Sequence, residues 1–217
     1  MPRTCIAAGA VLHDRDGHTV VAHYGSVPGE IAVCMKSVGL IDRSDLGVLE
    51  LRGDQALLDR ALVARFGDPP LPVGGGRRLR SVWYLRVDAR HILLVGPHAA
   101  LASGPAIGRG RDRTDLPHRD IGASVAILGI VGPRSSRLLA AAELPAELAI
   151  GAIGTDGGDP GVIAILRESQ RRYLALVRTD GADAFWTRLL AAGEPLGAAF
   201  VGFEALALLN ASSVSAG

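Results

Sequence analysis

The sequence is poor in several residue types that common functional sites require. Its 217 residues include two cysteines, Cys5 and Cys34, without C-x-x-C spacing, so neither a disulfide framework nor a cysteine zinc site is predicted. Aromatic residues make up 4% of the chain and the formal net charge is +1, which disfavours a nucleic-acid interface, because such surfaces combine basic residues with stacking aromatics. No apolar run approaches the roughly 20 residues that span a bilayer. Residues 5–12 are too few for a signal-peptide core, so a cytoplasmic protein with no metal and no membrane partner is expected.

Two common site motifs are also missing. The chain has no Gly-x-Ser-x-Gly nucleophile elbow, and the three glycines at 74–76 are not followed by the Lys-Ser or Lys-Thr of a Walker loop. Residues 67–78 instead predict a solvated loop. Arg77, Arg78 and Arg80 leave a second interpretation open, in which backbone N–H groups and guanidinium groups hold an acidic small molecule.

What the chain does have is a pattern of elements that occurs twice. Residues 40–53 read as an alternating strand that ends at a glycine turn, and a helical pattern then continues to Gly67, which is placed to end it. The stretch that begins near residue 127 repeats this order. A two-strand hairpin and a helical segment follow each copy. The repeat of strand, helix, hairpin and helix predicts an α+β fold of two similar lobes, each an antiparallel sheet with helices.

The two lobes are assigned from this repeat. Residues 1–50 plus 124–217 are predicted to form lobe A, which is discontinuous in sequence, and residues 51–123 are predicted to form lobe B. Residues 104–120 are the most polar stretch and are expected to be a flexible crossover between the lobes. A duplicated fold has a seam between its halves, and ligands favour such seams, so a ligand site is expected there.

Helical spacing gives three further expectations. Ile31, Cys34 and Met35 share one face of a helix, and Cys34 is therefore interpreted as a small buried apolar residue rather than a nucleophile. Asp180 is a favourable N-cap for a later helix. Residues 201–209 are apolar on nearly all sides, so this segment needs cover from the core or from another chain.

Several stretches of sequence together carry a resemblance to a known family. They occur in the family's order along most of the chain: His23-Tyr24-Gly25-Ser26, Glu30-Ile31-Ala32-Val33, Val38-Gly39-Leu40-Ile41-Asp42-Arg43-Ser44, Leu51-Arg52-Gly53, residues 128–133 and Ala184-Phe185-Trp186. They resemble the folate-binding region of the aminomethyltransferase (T-protein) of the glycine cleavage system and its relatives, which include the gamma subunit of heterotetrameric sarcosine oxidase. In size and in its missing motifs the chain is most similar to that gamma subunit. The resemblance implies two lobes around a central folate hole, without the family's C-terminal barrel domain.

The sequence departs from the family at positions that the resemblance implies are functional. The family has an acidic stretch that contacts folate just before the first hairpin, whereas this chain has Arg77-Arg78-Leu79-Arg80-Ser81 there. Leu206 and Asn210 stand where the family has arginines. Because the carboxylates of folate need cationic partners, these changes favour a non-catalytic or accessory subunit in one-carbon (folate or amine) metabolism. The expected partners are larger flavin-oxidase-type or one-carbon subunits, or a second copy of the chain.

Four residues remain as candidates for folate binding, with tetrahydrofolate as the cofactor that the resemblance implies. They are His23, Tyr24, Trp83 and Arg167, and no catalytic residue is assigned. Each also has a structural interpretation; for example, alternation along a strand turns either Trp83 or Tyr84 into the core. If these residues do bind folate, the chain is a compact tetrahydrofolate-dependent aminomethyl or methyl transferase. The third alternative is a diverged pocket for an acidic small molecule.

Overall fold

The computed structural model describes residues 8–15, 17–67, 69–102, 117–155 and 161–214. The strands are β1 (Val11–Arg15), β2 (His18–His23), β3 (Val38–Asp42), β4 (Leu46–Arg52), β5 (Gly76–Leu79), β6 (Val82–Asp88), β7 (His91–Pro97), β8 (His118–Asp120), β9 (Val125–Val131), β10 (Ile153–Gly154), β11 (Val162–Ser169), β12 (Arg172–Arg178) and β13 (Ala198–Phe200). The helices are α1 (Val27–Lys36), α2 (Gln55–Phe66), α3 (His98–Ala102), α4 (Ser135–Ala141), α5 (Ala182–Gly193) and α6 (Phe203–Val214).

The chain divides into two compact units. The larger unit comprises Met1–Asp45, Ser124–Ile150 and Gly154–Gly217, and the smaller unit comprises Leu46–Ala123 and Gly151–Ile153. The first break therefore falls in the turn between β3 and β4, a few residues before the boundary expected from the sequence. The assignment of lobes A and B, and of a ligand site at their seam, stays a prediction.

The two copies of the repeat form sheets with matching strand arrangements, which confirms the predicted α+β fold. One sheet has the order β5-β6-β7-β4-β8 and the other has the order β10-β11-β12-β9-β3-β13. In each copy the first strand pairs antiparallel with the second strand of the hairpin, β4 with β7 and β9 with β12. β13 extends the larger sheet by pairing parallel to β3. A separate two-stranded sheet is formed by β1 and β2.

The sheet of the larger unit has apolar residues buried on both of its faces. Leu40 of β3 and Ile130 of β9 belong to the core cluster that contains Trp186 of α5, whereas Ile41 belongs to the cluster that contains Cys34 of α1. Successive side chains of a strand point to opposite faces, so two adjacent residues of β3 reach two different cores. This explains why every residue of β3 is buried.

Helix α2 of the smaller unit covers one face of its sheet. The Asp54 side chain caps the first turn by accepting hydrogen bonds from the backbone of Ala56 and Leu57, and the helix ends at Gly67, whose φ is +88°. The end at Gly67 confirms the prediction. Leu58 and Leu62 are fully buried against the sheet, and burial of each such side chain contributes about 1.5–3 kcal/mol to stability.

Two helical expectations are wrong. Met35 is 62% exposed although Cys34 beside it is buried, because adjacent residues on a helix point about 100° apart and α1 lies on the core through Cys34. Asp180 does not cap α5. Its carboxylate pairs with the Arg178 guanidinium at 2.9 Å within a short 3₁₀ turn, and the residue before the helix is Gly181. The Asp180 carboxylate is therefore paired with the neighbouring Arg178 and does not serve as the N-cap of α5.

Two segments predicted as loops contain edge strands. Residues 67–78 run into β5, which pairs antiparallel with β6. Within the predicted crossover, residues 104–116 lie outside the described part of the chain, and His118–Asp120 form β8 beside β4. Both strands are short and polar, as exposed sheet edges commonly are, so they lack the apolar alternation by which a strand is recognised in sequence.

The last described helix, α6, is covered on one side by its own unit. Ala205 and Leu206 are buried in the cluster that contains Cys34, whereas Leu208 on the other side is 52% exposed. The cover that residues 201–209 were expected to need therefore comes in part from the core.

The close approach of α6 to β2 predicts a large effect of a small substitution. A Cβ atom at Gly202 would overlap the carbonyl oxygen of Ala22 and lie 2.5 Å from Cα of His23. Because backbone atoms would have to move, Gly202→Ala is expected to lower the free energy of unfolding by about 1–3 kcal/mol in urea denaturation. Gly181→Ala is the control, since its Cβ would meet Cα of Gly161 at an ordinary 3.9 Å. Equal effects of the two substitutions would contradict the close approach.

Candidate functional site

The candidate site is built around a buried carboxylate, that of Glu30. Its Oε1 accepts a hydrogen bond from the backbone N–H of Tyr24 at 2.7 Å, and its Oε2 accepts one from the backbone N–H of Gly202 at 2.8 Å. Glu30 is in the first turn of α1, which Ser26 caps by accepting from the backbone N–H of Gly29. One side chain therefore joins the end of β2, the start of α1 and the start of α6. No pattern in the sequence marks this role of Glu30.

A cleft of about 340 Å³ lies beside this carboxylate, entirely within the larger unit. Glu30 and Val33 of α1 form one side, and Ala199 and Phe200 of β13 form another. The ring of Tyr24 also lines the cleft and stacks on the ring of Phe200, with 5.2 Å between centroids and 22° between planes. The cleft is thus mainly apolar, with one buried acid in its lining.

The structure places His23 and Tyr24, two of the four candidates for folate binding, side by side at the end of β2. Of these two, Tyr24 is in the lining of the cleft. The His23 side chain turns back to its own loop, where Nδ1 accepts a hydrogen bond from the backbone N–H of Gly25 at 3.0 Å. Its position indicates that it stabilises the turn before α1.

The guanidinium of Arg167, the third candidate, lies over the ring of Tyr173, 5.6 Å from its centroid. Its nitrogens donate to three backbone carbonyl oxygens, of Leu148 at 2.6 Å, of Ser169 at 3.3 Å and of Gln170 at 3.4 Å. Arg167 thereby fixes the turn of the β11–β12 hairpin and the loop after α4. These contacts use three of the five N–H donors of the guanidinium, and whether Arg167 contacts a ligand stays a prediction.

Trp83, the fourth candidate, belongs to the smaller unit and is 8% exposed. Tyr84, the next residue of β6, packs in the cluster under α2, so alternation places Trp83 on the opposite face of that sheet. The expectation that one of the two rings enters the core is confirmed. Whether Trp83 contacts a ligand stays a prediction.

The arginines of the glycine-rich segment contact their own unit. Arg77 donates to the carbonyl oxygen of Phe66 at 3.2 Å and lies over the Phe66 ring, with 5.4 Å to the centroid. Arg78 donates through Nε to the carbonyl oxygen of Arg80 at 3.1 Å. These contacts place both guanidinium groups on backbone carbonyls rather than together around an anion site.

Cys34 and Asp42 are among the buried titratable groups of the larger unit whose pKa values are shifted. Burial raises the pKa of the Cys34 thiol to about 11, so this residue is protonated near neutrality, which agrees with its interpretation as an apolar core residue. Burial also raises the pKa of Asp42 to about 6. The Oδ1 atom of Asp42 accepts from the backbone N–H of Ser44 at 3.1 Å, while Oδ2 has no hydrogen-bond partner among the described residues. The adjacent Arg43 pairs with Asp45 instead, at 2.8 Å.

Within the ranges that the structure describes, no group of three or more His, Cys, Asp or Glu side chains is placed to hold a metal ion. In the same ranges, no helix has the length and apolar character that crossing a bilayer requires.

The sheets and helices define an α+β protein with the fold of the folate-binding region of aminomethyltransferases. No protein-family profile matches the chain. In sequence it is similar to the aminomethyltransferase of Streptomyces coelicolor, with 27% identity over 207 residues, 88% of this chain and 56% of that enzyme.

Two solved structures have a similar fold. One is the glycine cleavage system aminomethyltransferase T from Bartonella henselae, with a TM-score of 0.74 and 19% identity, covering 94% of this chain and 58% of that one. The other is a chain of the heterotetrameric sarcosine oxidase from Corynebacterium sp. U-96, with a TM-score of 0.56 and 19% identity, covering 76% of this chain and 87% of that one. The chain thus spans little more than half the length of the aminomethyltransferases that it matches. These similarities confirm the predicted resemblance to the T-protein superfamily.

The raised pKa of Asp42 predicts a pH dependence of stability. An acid whose pKa is higher in the folded state stabilises the fold fully below its unfolded pKa, and this contribution is lost as pH rises through the folded value. For Asp42 the loss falls between about pH 4 and pH 6 and is on the order of 2–3 kcal/mol. Wild type should therefore lose stability relative to Asp42→Asn between pH 4 and pH 7, measured by urea denaturation.

The control for this prediction is Asp180→Asn. The exposed Asp180 has its pKa lowered by its hydrogen bond to Arg178, so its contribution to stability is lost only as pH falls below about 4 and should stay constant between pH 4 and pH 7. A constant stability difference between wild type and Asp42→Asn across pH 4–7 would contradict the shifted pKa of Asp42.

Proposed function

We propose that this chain is a non-catalytic, accessory subunit of an enzyme complex in one-carbon (folate or amine) metabolism. The observation that carries the proposal is that Arg167 is hydrogen-bonded within its own unit. Of the family's ligand-holding cations, Arg167 is the one that the resemblance leaves in place, and its guanidinium is bound to three backbone carbonyls of its own unit. A residue held in this way supports the hairpin and is poorly available to a folate carboxylate.

Similarity to a chain of a multi-subunit enzyme also supports an accessory role. That chain belongs to the heterotetrameric sarcosine oxidase from Corynebacterium sp. U-96, and the similarity covers 76% of the present chain. Partners of the proposed subunit are larger flavin-oxidase-type or one-carbon chains, and the exposed side of α6 around Leu208 offers an apolar contact surface.

The alternative function is a compact tetrahydrofolate-dependent aminomethyl or methyl transferase. It is favoured by the 27% identity to the Streptomyces coelicolor aminomethyltransferase, which extends over 88% of this chain. In this alternative, His23, Tyr24, Trp83 and Arg167 bind the folate. The position of the family's acidic stretch is occupied by residues 77–81, three of which are arginines, so a different group would have to assist the transfer. A pocket for an acidic small molecule at Arg77 and Arg80 is less well supported, since Arg77 lies on Phe66.

The first test is a titration with tetrahydrofolate, followed by tryptophan fluorescence in a Trp186→Phe variant. This variant keeps Trp83 as its tryptophan, and Trp186 is fully buried in the core. An accessory subunit is expected to show no saturable quenching, because the cationic partners of the folate carboxylates are missing or engaged. Saturable quenching that is lost in Arg167→Gln would instead support the transferase.

The second test is co-purification of the tagged chain from its source cells. A larger amine-oxidising or one-carbon subunit is expected in stoichiometric amount. Leu208→Glu should lower the recovered partner roughly tenfold or more, because a buried apolar contact at an interface would become a buried charge. Val73→Glu makes the same change at a side chain of similar exposure, 56% against 52%, in the smaller unit and should retain the partner. A chain that elutes alone or only as a homodimer, unaffected by Leu208→Glu, would contradict the accessory role.

A further inference from the structure

The cleft beside Glu30 is open to solvent and large enough for a small molecule. Its volume of about 340 Å³ is near the lower end of the range for ligand pockets, roughly 300–1,000 Å³. Val33, Ala199 and the stacked rings of Tyr24 and Phe200 supply apolar walls. The cleft lies within one unit, and its lining comes from α1, from β13, from the residues that follow β2 and from Ala8.

The charge in the lining decides which ligand fits. Glu30 is 6% exposed and, within the described part of the chain, forms no ion pair. Its two oxygens each accept one backbone N–H, and each carboxylate oxygen can accept a further hydrogen bond. A buried carboxylate without a counter-ion attracts a cation strongly, since the low polarity of its surroundings weakens charges less than water does.

An anionic ligand is disfavoured at the same place. The cleft includes the N-terminus of α1, where backbone N–H groups would favour an anion. The Ser26 oxygen already accepts the N–H of Gly29, and the carboxylate of Glu30 lies in the first turn and would repel the ligand. The charge of the ligand that the cleft prefers is therefore determined by the Glu30 carboxylate rather than by the N-terminus of α1.

We propose that this cleft binds a small organic cation, a primary or secondary amine that carries an apolar group. The ammonium group donates to the free lone pairs of Glu30, and the apolar group lies between Val33 and the rings of Tyr24 and Phe200. This site does not depend on the proposed accessory role, because it uses no residue of the folate candidates except Tyr24 and no partner chain.

The test compares three probes of nearly the same shape and different charge: benzylamine, benzyl alcohol and benzoate. Binding is measured by titration calorimetry and by chemical-shift changes of the amides of Tyr24, Val33 and Phe200. Benzylamine is expected to bind roughly tenfold or more tightly than benzyl alcohol, and benzoate more weakly than both, because a charge-assisted hydrogen bond exceeds a neutral one. Benzoate binding as tight as benzylamine, or no saturable binding of benzylamine, would overturn the proposal.

Two variants locate the site. Val33→Phe places a ring in the cleft and should abolish benzylamine binding, whereas Ala207→Phe adds the same ring on the exposed side of α6 and should leave it unchanged. Unchanged binding in Val33→Phe would overturn the assignment to this cleft. Glu30→Gln should remove the preference for benzylamine over benzyl alcohol. Glu30 also holds Tyr24 and Gly202, so Glu30→Gln could fail to fold. In that case the Val33→Phe result decides whether the cleft is the binding site.

Discussion

The larger unit depends on one buried carboxylate that binds two backbone N–H groups far apart in sequence. Glu30 accepts from Tyr24 at 2.7 Å and from Gly202 at 2.8 Å, and so holds β2, α1 and α6 at one point. Burial of a charge is costly, and two charge-assisted hydrogen bonds offset that cost. The close contact of Gly202 with Ala22 lies at the same junction, where a side chain at position 202 would not fit. The same carboxylate forms the acidic part of the cleft lining, so the cleft lies at the point where Glu30 joins β2, α1 and α6.

The features that the sequence predicts correctly are those that local patterns encode. The repeat of strand, helix and hairpin appears twice because each element has its own periodicity, and Gly67 ends α2 because its φ of +88° suits glycine. Glu30 was not predicted, because its partners are backbone groups, and no pattern of residue types marks a hydrogen bond to an N–H 172 positions away. The prediction for Asp180 is wrong because Arg178, only two residues away, pairs with its carboxylate, a local competition that the general preference of aspartate for helix N-caps does not include.

A shared fold does not fix which chemistry a site performs. The chain matches aminomethyltransferase T from Bartonella henselae over 94% of its length at 19% identity, so the fold is kept while most side chains differ. Arg167 donates to three backbone carbonyl oxygens of its own unit. Function therefore has to be argued from individual side chains and not from the fold. The two proposals for this chain rest on such side chains, Leu208 for a partner chain and Glu30 for a small cation.

The most direct measurement of the central interaction is amide hydrogen exchange at Tyr24 and Gly202 under native conditions. If one carboxylate holds both N–H groups, both amides should be strongly protected with similar opening free energies, and Glu30→Gln should lower the protection of the two together. Exchange of either amide at the rate of an unstructured chain, or loss of protection at one amide without the other, would contradict the role of Glu30 as the common anchor.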